Sequence, residues 1–135
     1  MSIQTINPGP PAGRPYVPGI VARGDLIFVS GQIPIRDGRI VEGPIEDQVE
    51  TVLENIESIL RCGGASLGDV VRCGVFVAHL DDLPRVNAVY ERAFRGRLPT
   101  RTTVGATLPG YDVEIDCIAV IPSSDRERAM QHSIT

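Results

Sequence analysis

The feature that most constrains this chain is a strand with apolar side chains on both faces. Alternate side chains of a strand leave on opposite sides. Over residues 113–121, Val113, Ile115, Cys117 and Ala119 therefore share one face, and Ile118 and Val120 share the other with Glu114 and Asp116. Leu26 and Phe28 oppose Ile27 and Val29 in the same way, and Val75 and Val77 oppose Phe76. A sheet built from such strands needs a cover on each side. Two helical patterns can supply one. Val49, Val52, Leu53, Ile56, Ile59 and Leu60 recur at three- and four-residue steps, with Pro44 in the first turn and Gly63-Gly64 as the stop. Asp82 stands as N-cap ahead of Pro84 for a second helix that buries Val86, Val89, Tyr90, Ala93 and Phe94. Right-handed crossovers put both helices on one face. The second face is left for another subunit, so self-association is expected.

The strands around these helices follow from turn chemistry. Residues 1–18 carry prolines at 8, 10, 11, 15 and 18, which remove donors and fix φ, so they are expected to form an extended strap. Ile20-Val21-Ala22 and Leu26 to Ser30 flank Arg23-Gly24-Asp25 and predict a hairpin. Asp37-Gly38 is a type I′ turn signal between Ile33-Pro34-Ile35 and Arg39-Ile40-Val41, and Pro34 makes that piece an edge or irregular segment. Residues 70–78, 102–106 and 113–121 are the remaining strands, with the last two expected to form a hairpin through Pro109-Gly110. The order is ββ(β)αβαββ, an α+β class with one mixed sheet and two helices on one face. The 135 residues predict one domain over 1–135, with 123–135 a polar, flexible tail.

Charge and composition exclude several classes of function. A formal net charge of −4 opposes sequence-independent attraction to a phosphate backbone, so no nucleic-acid partner is expected. No apolar run is long enough to span a membrane and the N-terminus is not a signal peptide, which predicts a cytoplasmic protein without a membrane partner. The cysteines, Cys62, Cys73 and Cys117, lack metal spacing and are expected to be reduced, packed thiols. With His79 and His132 far apart, no metal site is expected, and His79 reads as a surface residue at a strand end. Ser30 lacks the first glycine of a nucleophile elbow, and Gly63-Gly64-Ala65-Ser66 lacks a phosphate-loop lysine. One pair stands out. Arg101 and Glu114 would face each other across the last hairpin, either as a plain cross-strand salt bridge or as a carboxylate anchor beside a water-activating acid.

Several segments resemble one family. Arg101-Thr102-Thr103-Val104-Gly105-Ala106, Leu108-Pro109 and Val113-Glu114-Ile115-Asp116-Cys117-Ile118-Ala119 are similar to the C-terminal signature of the RidA (YjgF) reactive-intermediate deaminases. Pro15-Tyr16-Val17-Pro18-Gly19 resembles that family's N-terminal tyrosine motif. Val29-Ser30-Gly31-Gln32-Ile33-Pro34 resembles its S-G-Q-x-P segment, and Val86-Asn87-Ala88-Val89-Tyr90-Glu91 its second-helix motif. The likeness runs over about residues 14–121 in the expected order.

The resemblance implies a chorismate-mutase-like subunit in a homotrimer, with sites in clefts between subunits. It also implies hydrolysis of enamine or imine acids such as 2-aminoacrylate to 2-keto acids and ammonia, without cofactor or metal. Under it Arg101 grips the substrate carboxylate, Glu114 holds and polarises the attacking water, and Tyr16 closes the cleft with its hydroxyl. Ser30 and the Gly31 backbone line the floor, Asn87 supports the pocket, and the Thr103 backbone amide meets the ligand. The structural alternatives are strap packing for Tyr16, a strand-end hydroxyl for Ser30 and a helix-surface amide for Asn87. Two departures bear on substrate range: Thr103 stands where many members carry cysteine, and the turn from Leu108 to Val113 is shorter than the common pattern. The resemblance also permits a 2-aminomuconate-type pathway deaminase, and RNA cleavage as in some relatives, for which Arg92, Arg95, Arg97 and Arg101 could make a local basic strip; a non-enzymatic module that binds keto acids as a sensor is a further alternative.

Overall fold

The computed structural model describes residues 2–10 and 13–122. The expected tail over 123–135, and with it His132, lies outside the described residues. Ten elements follow in order: β1 (Ile3–Ile6), β2 (Gly19–Ala22), β3 (Leu26–Gln32), β4 (Ile35–Arg36), β5 (Arg39–Ile40), α1 (Ile45–Cys62), β6 (Val70–Val77), α2 (Leu83–Ala93), β7 (Thr100–Gly105) and β8 (Val113–Val120). The main sheet is mixed, in the order β3-β8-β6-β7, with β6 and β7 parallel and the other two pairings antiparallel. The α+β class and the two helices on one face are as the sequence pattern predicts.

Periodicity explains what α1 buries. Val49, Val52, Ile56 and Leu60 are fully buried against the sheet, while Ile59 sits at the rim. Glu46 and Asp47 in the first turn and Arg61 in the last complement the helix dipole. Val86, Val89 and Tyr90 of α2 join the same core, which closes on Val75, Val77, Val113, Ile115 and Cys117 of the sheet. Asp82 precedes α2 but makes no side-chain cap bond. A short 3-10 turn over Leu80–Asp82 runs straight into the helix, and Pro at the helix start needs no N–H partner there.

Two strand pairings differ from the sequence expectation. β2 does not pair with β3; it pairs antiparallel with β1, from Ile3↔Ala22 to Ile6↔Gly19. The strap thus begins with a true strand, because Ile3–Ile6 precedes its first proline and can supply a full ladder. β3 leaves through Gly24, at φ 129°, and pairs with β8. Nor are β7 and β8 a hairpin: β6 lies between them. The crossover through α2 sets β7 parallel to β6 at the sheet edge, and β8, apolar on both faces, takes an interior place. The Asp37-Gly38 turn is as expected, with φ 53° and 77° at the two residues joining β4 to β5.

The open face of the sheet is apolar. Phe28 is 70% exposed, Leu26 49% and Val104 42%, and none of α1 or α2 covers them. Among the described residues no helix is long and apolar enough to cross a membrane.

The cysteines separate into two kinds. Cys73 and Cys117 face each other across β6 and β8 and are buried, whereas Cys62, expected to be packed, ends α1 in an exposed position. Burial pushes the Cys73 thiol up to about 11 and the Cys117 thiol up to about 12. In the native protein a thiol reagent at pH 8 is expected to modify one of the three cysteines rapidly and the other two only after denaturation. Fast reaction of two or more would show that the buried pair is open to solvent.

Candidate functional site

Arg101 lies on β7 opposite Cys73, so its side chain leaves on the helix-covered face, at the edge of the sheet beside α2. There it is held on three sides. Nε donates to Thr103 Oγ1 at 2.6 Å, Nη2 donates to Asn87 Oδ1 at 2.7 Å, and the guanidinium carbon stands 4.7 Å from the centre of the Tyr90 ring. Local geometry produces this cradle: Thr103 is two residues along the same strand face, and Asn87 and Tyr90 are three apart on one face of α2. Among the described residues Arg101 has no carboxylate within ion-pairing distance, and its Nη1 is buried without a hydrogen-bond partner. Burial pulls its pKa below the usual range, with Tyr90 and Cys73 acting the other way. The Tyr90 phenol beneath it is pushed up, first by burial and then by the Cys73 thiol, and stays neutral.

Tyr16 belongs to this end of the molecule. The strap is pinned to the residue before β7 by a bond from Val17 N to Pro99 O at 3.2 Å, and Tyr16 is close enough to act on the Arg101 charge. Its hydroxyl accepts from Arg14 Nη1 at 3.3 Å. Arg14, Tyr16, Val17, Pro18 and Leu98 line a cavity of about 410 Å³.

Glu114 lies elsewhere. It pairs with Phe76, three residues along β6 from Cys73, so its side chain leaves on the open face. The expected facing of Arg101 and Glu114 across a hairpin is therefore overturned. β6 separates their strands, and the pleat sends them to opposite sides of the sheet. Glu114 is grouped instead with Gly31 and Tyr111. A Cβ on Gly31 would collide with Glu114 Oε2, and Tyr111 Oη donates to Glu114 Oε1 at 3.0 Å. Ser30 and Gly31 occupy an irregularity where the β3–β8 register shifts between Val29 and Gln32, which brings the β3 backbone under the carboxylate. The neighbouring Asp116 is occupied by Arg72, at 3.4 Å, and by the Gly74 N–H, at 3.0 Å.

The connection from β7 to β8 is tied down by a reciprocal clamp. Gln48 Nε2 donates to Asp112 Oδ2 at 3.2 Å, and the Asp112 N–H donates to Gln48 Oε1 at 2.9 Å. Gln48 is a buried polar residue on α1, and this clamp satisfies both ends of its amide. His79, at the end of β6 as expected, approaches Asp112 Oδ1 at 3.7 Å and is otherwise exposed.

The sequence-predicted residues thus form two groups, one of Arg101, Asn87, Thr103 and Tyr16, the other of Glu114, Gly31 and Ser30. Tyr90, which the sequence pattern assigned to packing alone, is the floor of the first. Tyr111, given no role from the sequence, supports the second. Thr103 contributes its hydroxyl to Arg101. The basic strip does not form as one surface: Arg101 turns inward, while Arg92 and Arg95 line a groove of about 760 Å³ opposite Glu50, Glu54 and Glu57. No group of three or more His, Cys, Asp or Glu among the described residues is placed to hold a metal ion.

The profile of the family described as endoribonuclease L-PSP matches residues 7–121. Protein DfrA of Myxococcus xanthus is 43% identical over 116 residues, covering 82% of this chain and 88% of that protein. A 2-iminobutanoate/2-iminopropanoate deaminase of Dermatophagoides farinae is 35% identical over 127 residues, covering 90% and 99%. The crystal structure of E. coli TdcF, which holds a bound serine, is 38% identical and covers 84% of this chain and 93% of its own, at a TM-score of 0.68.

Removing the Gln48 amide leaves the part-buried Asp112 N–H without its partner. Gln48→Ala is expected to lower the unfolding free energy by about 1–3 kcal/mol, read as an earlier urea midpoint at unchanged slope. An unchanged midpoint would mean the clamp contributes nothing net.

Proposed function

The chain belongs to the endoribonuclease L-PSP family, the Rid or YjgF proteins, and on that premise we propose that it is a cofactor-independent hydrolytic deaminase of small enamine and imine acids such as 2-aminoacrylate. The products are 2-keto acids and ammonia. One observation carries this proposal: Arg101 is a partly buried cation with no acidic partner among the described residues and with its Nη1 group unpaired. A buried charge without a counterion is costly, and a carboxylate entering from outside offsets that cost. Asn87, Thr103 and Tyr90 fix the fork before the ligand arrives, which lowers the entropy lost on binding. The serine bound in TdcF and the activity named for the Dermatophagoides farinae relative fit a ligand that bears a carboxylate beside an amino- or imino-substituted carbon.

The chemistry follows from these parts. Transfer of a proton through solvent from the enamine nitrogen to its terminal carbon gives the imine. Water held by Glu114 attacks the imine carbon, a C–O bond forms, and the C=N pair moves to nitrogen, which takes a proton. In the resulting carbinolamine the hydroxyl proton passes to nitrogen, the C–N bond breaks with release of ammonia, and the C=O of the keto acid forms. Glu114 passes the water proton onward as general base.

Arg101 and Glu114 of one chain leave opposite faces of the sheet, so a working site takes its two groups from two copies. The exposed apolar face around Phe28, Leu26 and Val104 is the surface such copies would cover, and a homotrimer with sites between subunits is part of the proposal. So are the contributions of Tyr16 from the strap, the Ser30 and Gly31 backbone as floor, and a cytoplasmic place of work. RNA cleavage has less support, since Arg101 is turned away from Arg92 and Arg95.

With 2-aminoacrylate generated in situ, keto-acid release is expected to exceed the spontaneous rate. Arg101→Ala is expected to lower kcat/KM about 100-fold through binding, and Glu114→Gln to lower kcat about 100-fold or more at retained affinity. Ligand binding without turnover in the wild type would favour the keto-acid sensor. For assembly, sedimentation is expected to give three copies, with Phe28→Asp dissociating them and abolishing turnover. An active monomer would sink the shared site.

A further inference from the structure

We propose that Tyr111 is a positioning residue: it holds one oxygen of Glu114 so that the other is left for the attacking water. This rests on the role given to Glu114 above, but the hydrogen bond and its anchoring stand on their own geometry. A glutamate on an exposed sheet face has three rotatable bonds and no intrinsic reason to keep one direction. Here two elements restrict it. The β3 backbone at Gly31 passes close under the carboxylate, where an added Cβ would push Oε2 aside, and Tyr111 Oη donates to Oε1 at 3.0 Å. The two oxygens are thereby made unequal. Oε1 is occupied by a donor, whereas Oε2 faces the open backbone of Gly31.

Tyr111 can impose a direction because it is itself held. The connection that carries it spans residues 106–112, turns at Gly110 with φ 88°, and is fastened to α1 through the Asp112–Gln48 clamp at the adjacent residue. The ring has only two side-chain torsions, so little freedom is lost in presenting the hydroxyl. Partial burial and the Glu114 carboxylate push the Tyr111 phenol up, so it remains a donor at neutral pH. The charged groups around it are few. Glu114 accepts its proton, Asp112 is engaged by Gln48 and approached by His79, and on the same sheet face Asp116 is paired with Arg72.

The test compares Tyr111→Phe, Glu114→Gln and the double variant in the assembled protein, by keto-acid release from 2-aminoacrylate and by thermal melting. Tyr111→Phe keeps the ring and removes the hydroxyl. It is expected to lower kcat about tenfold with KM within twofold and an unchanged melting temperature. In the double variant it is expected to add no further loss, because the group it positions is gone. Unchanged kcat in Tyr111→Phe beside a collapsed Glu114→Gln overturns the inference and leaves the deaminase proposal standing. Equal activity in wild type and Glu114→Gln overturns both. A second readout does not depend on turnover: the ultraviolet titration of Tyr111, taken as wild type minus Tyr111→Phe, is expected to fall to lower pH in the Glu114→Gln background. If that titration does not move, the hydrogen bond is absent in solution and the inference fails.

Discussion

The sheet of this protein is apolar on two sides and covered on one, and the rest of the molecule is arranged around that imbalance. α1 and α2 can reach only one face, because both crossovers run the same way. On that face the core closes around Cys73, Cys117 and Tyr90, all held from solvent. On the other, Phe28 and Leu26 remain open, and Glu114 lies farther along β8 on the same face. The same sheet therefore presents one chemistry to its helices and another to whatever lies beyond it.

Arg101 shows how the covered face can hold a cation that has no acidic partner among the described residues. As a residue of the edge strand it lies where α2 ends its protection, close enough to Tyr90 for the ring to face its charge and for Asn87 to take one N–H. Desolvation makes that cation expensive, while the neutral oxygens around it orient it without neutralising it. A cation in that state discriminates strongly in favour of anions. Glu114 lies on the open face, seated over the Gly31 backbone where an added Cβ would push its carboxylate aside, and accepts from a phenol on a clamped connection.

Much of the fold was legible because it follows from local periodicity. The α1 face, the Asp37-Gly38 turn and the two-faced β8 each depend on residues a few positions apart. Pairing partners were less legible. Ile20 to Ala22 and Leu26 to Ser30 look like a hairpin because they are close in sequence, but Ile3–Ile6 offers β2 a better ladder and β8 offers β3 a buried one. Nothing in the local pattern distinguishes these choices. The same holds for the site. Asn87 and Thr103 carry motif signals, yet Tyr90 and Tyr111 read as an ordinary core residue and an ordinary turn residue until their neighbours are known.

The sequence by itself determined the two helices, the strands of the main sheet, that both sheet faces are apolar, and which family motifs are present, since each of these is written in spacing and residue type; the strand at Ile3–Ile6 it did not. Only the tertiary structure decided that β6 runs between β7 and β8. That one insertion places Arg101 and Glu114 on opposite faces instead of opposite each other. The reason is physical: pleat direction is fixed along a strand, whereas which strand lies beside it depends on contacts between residues far apart in the chain.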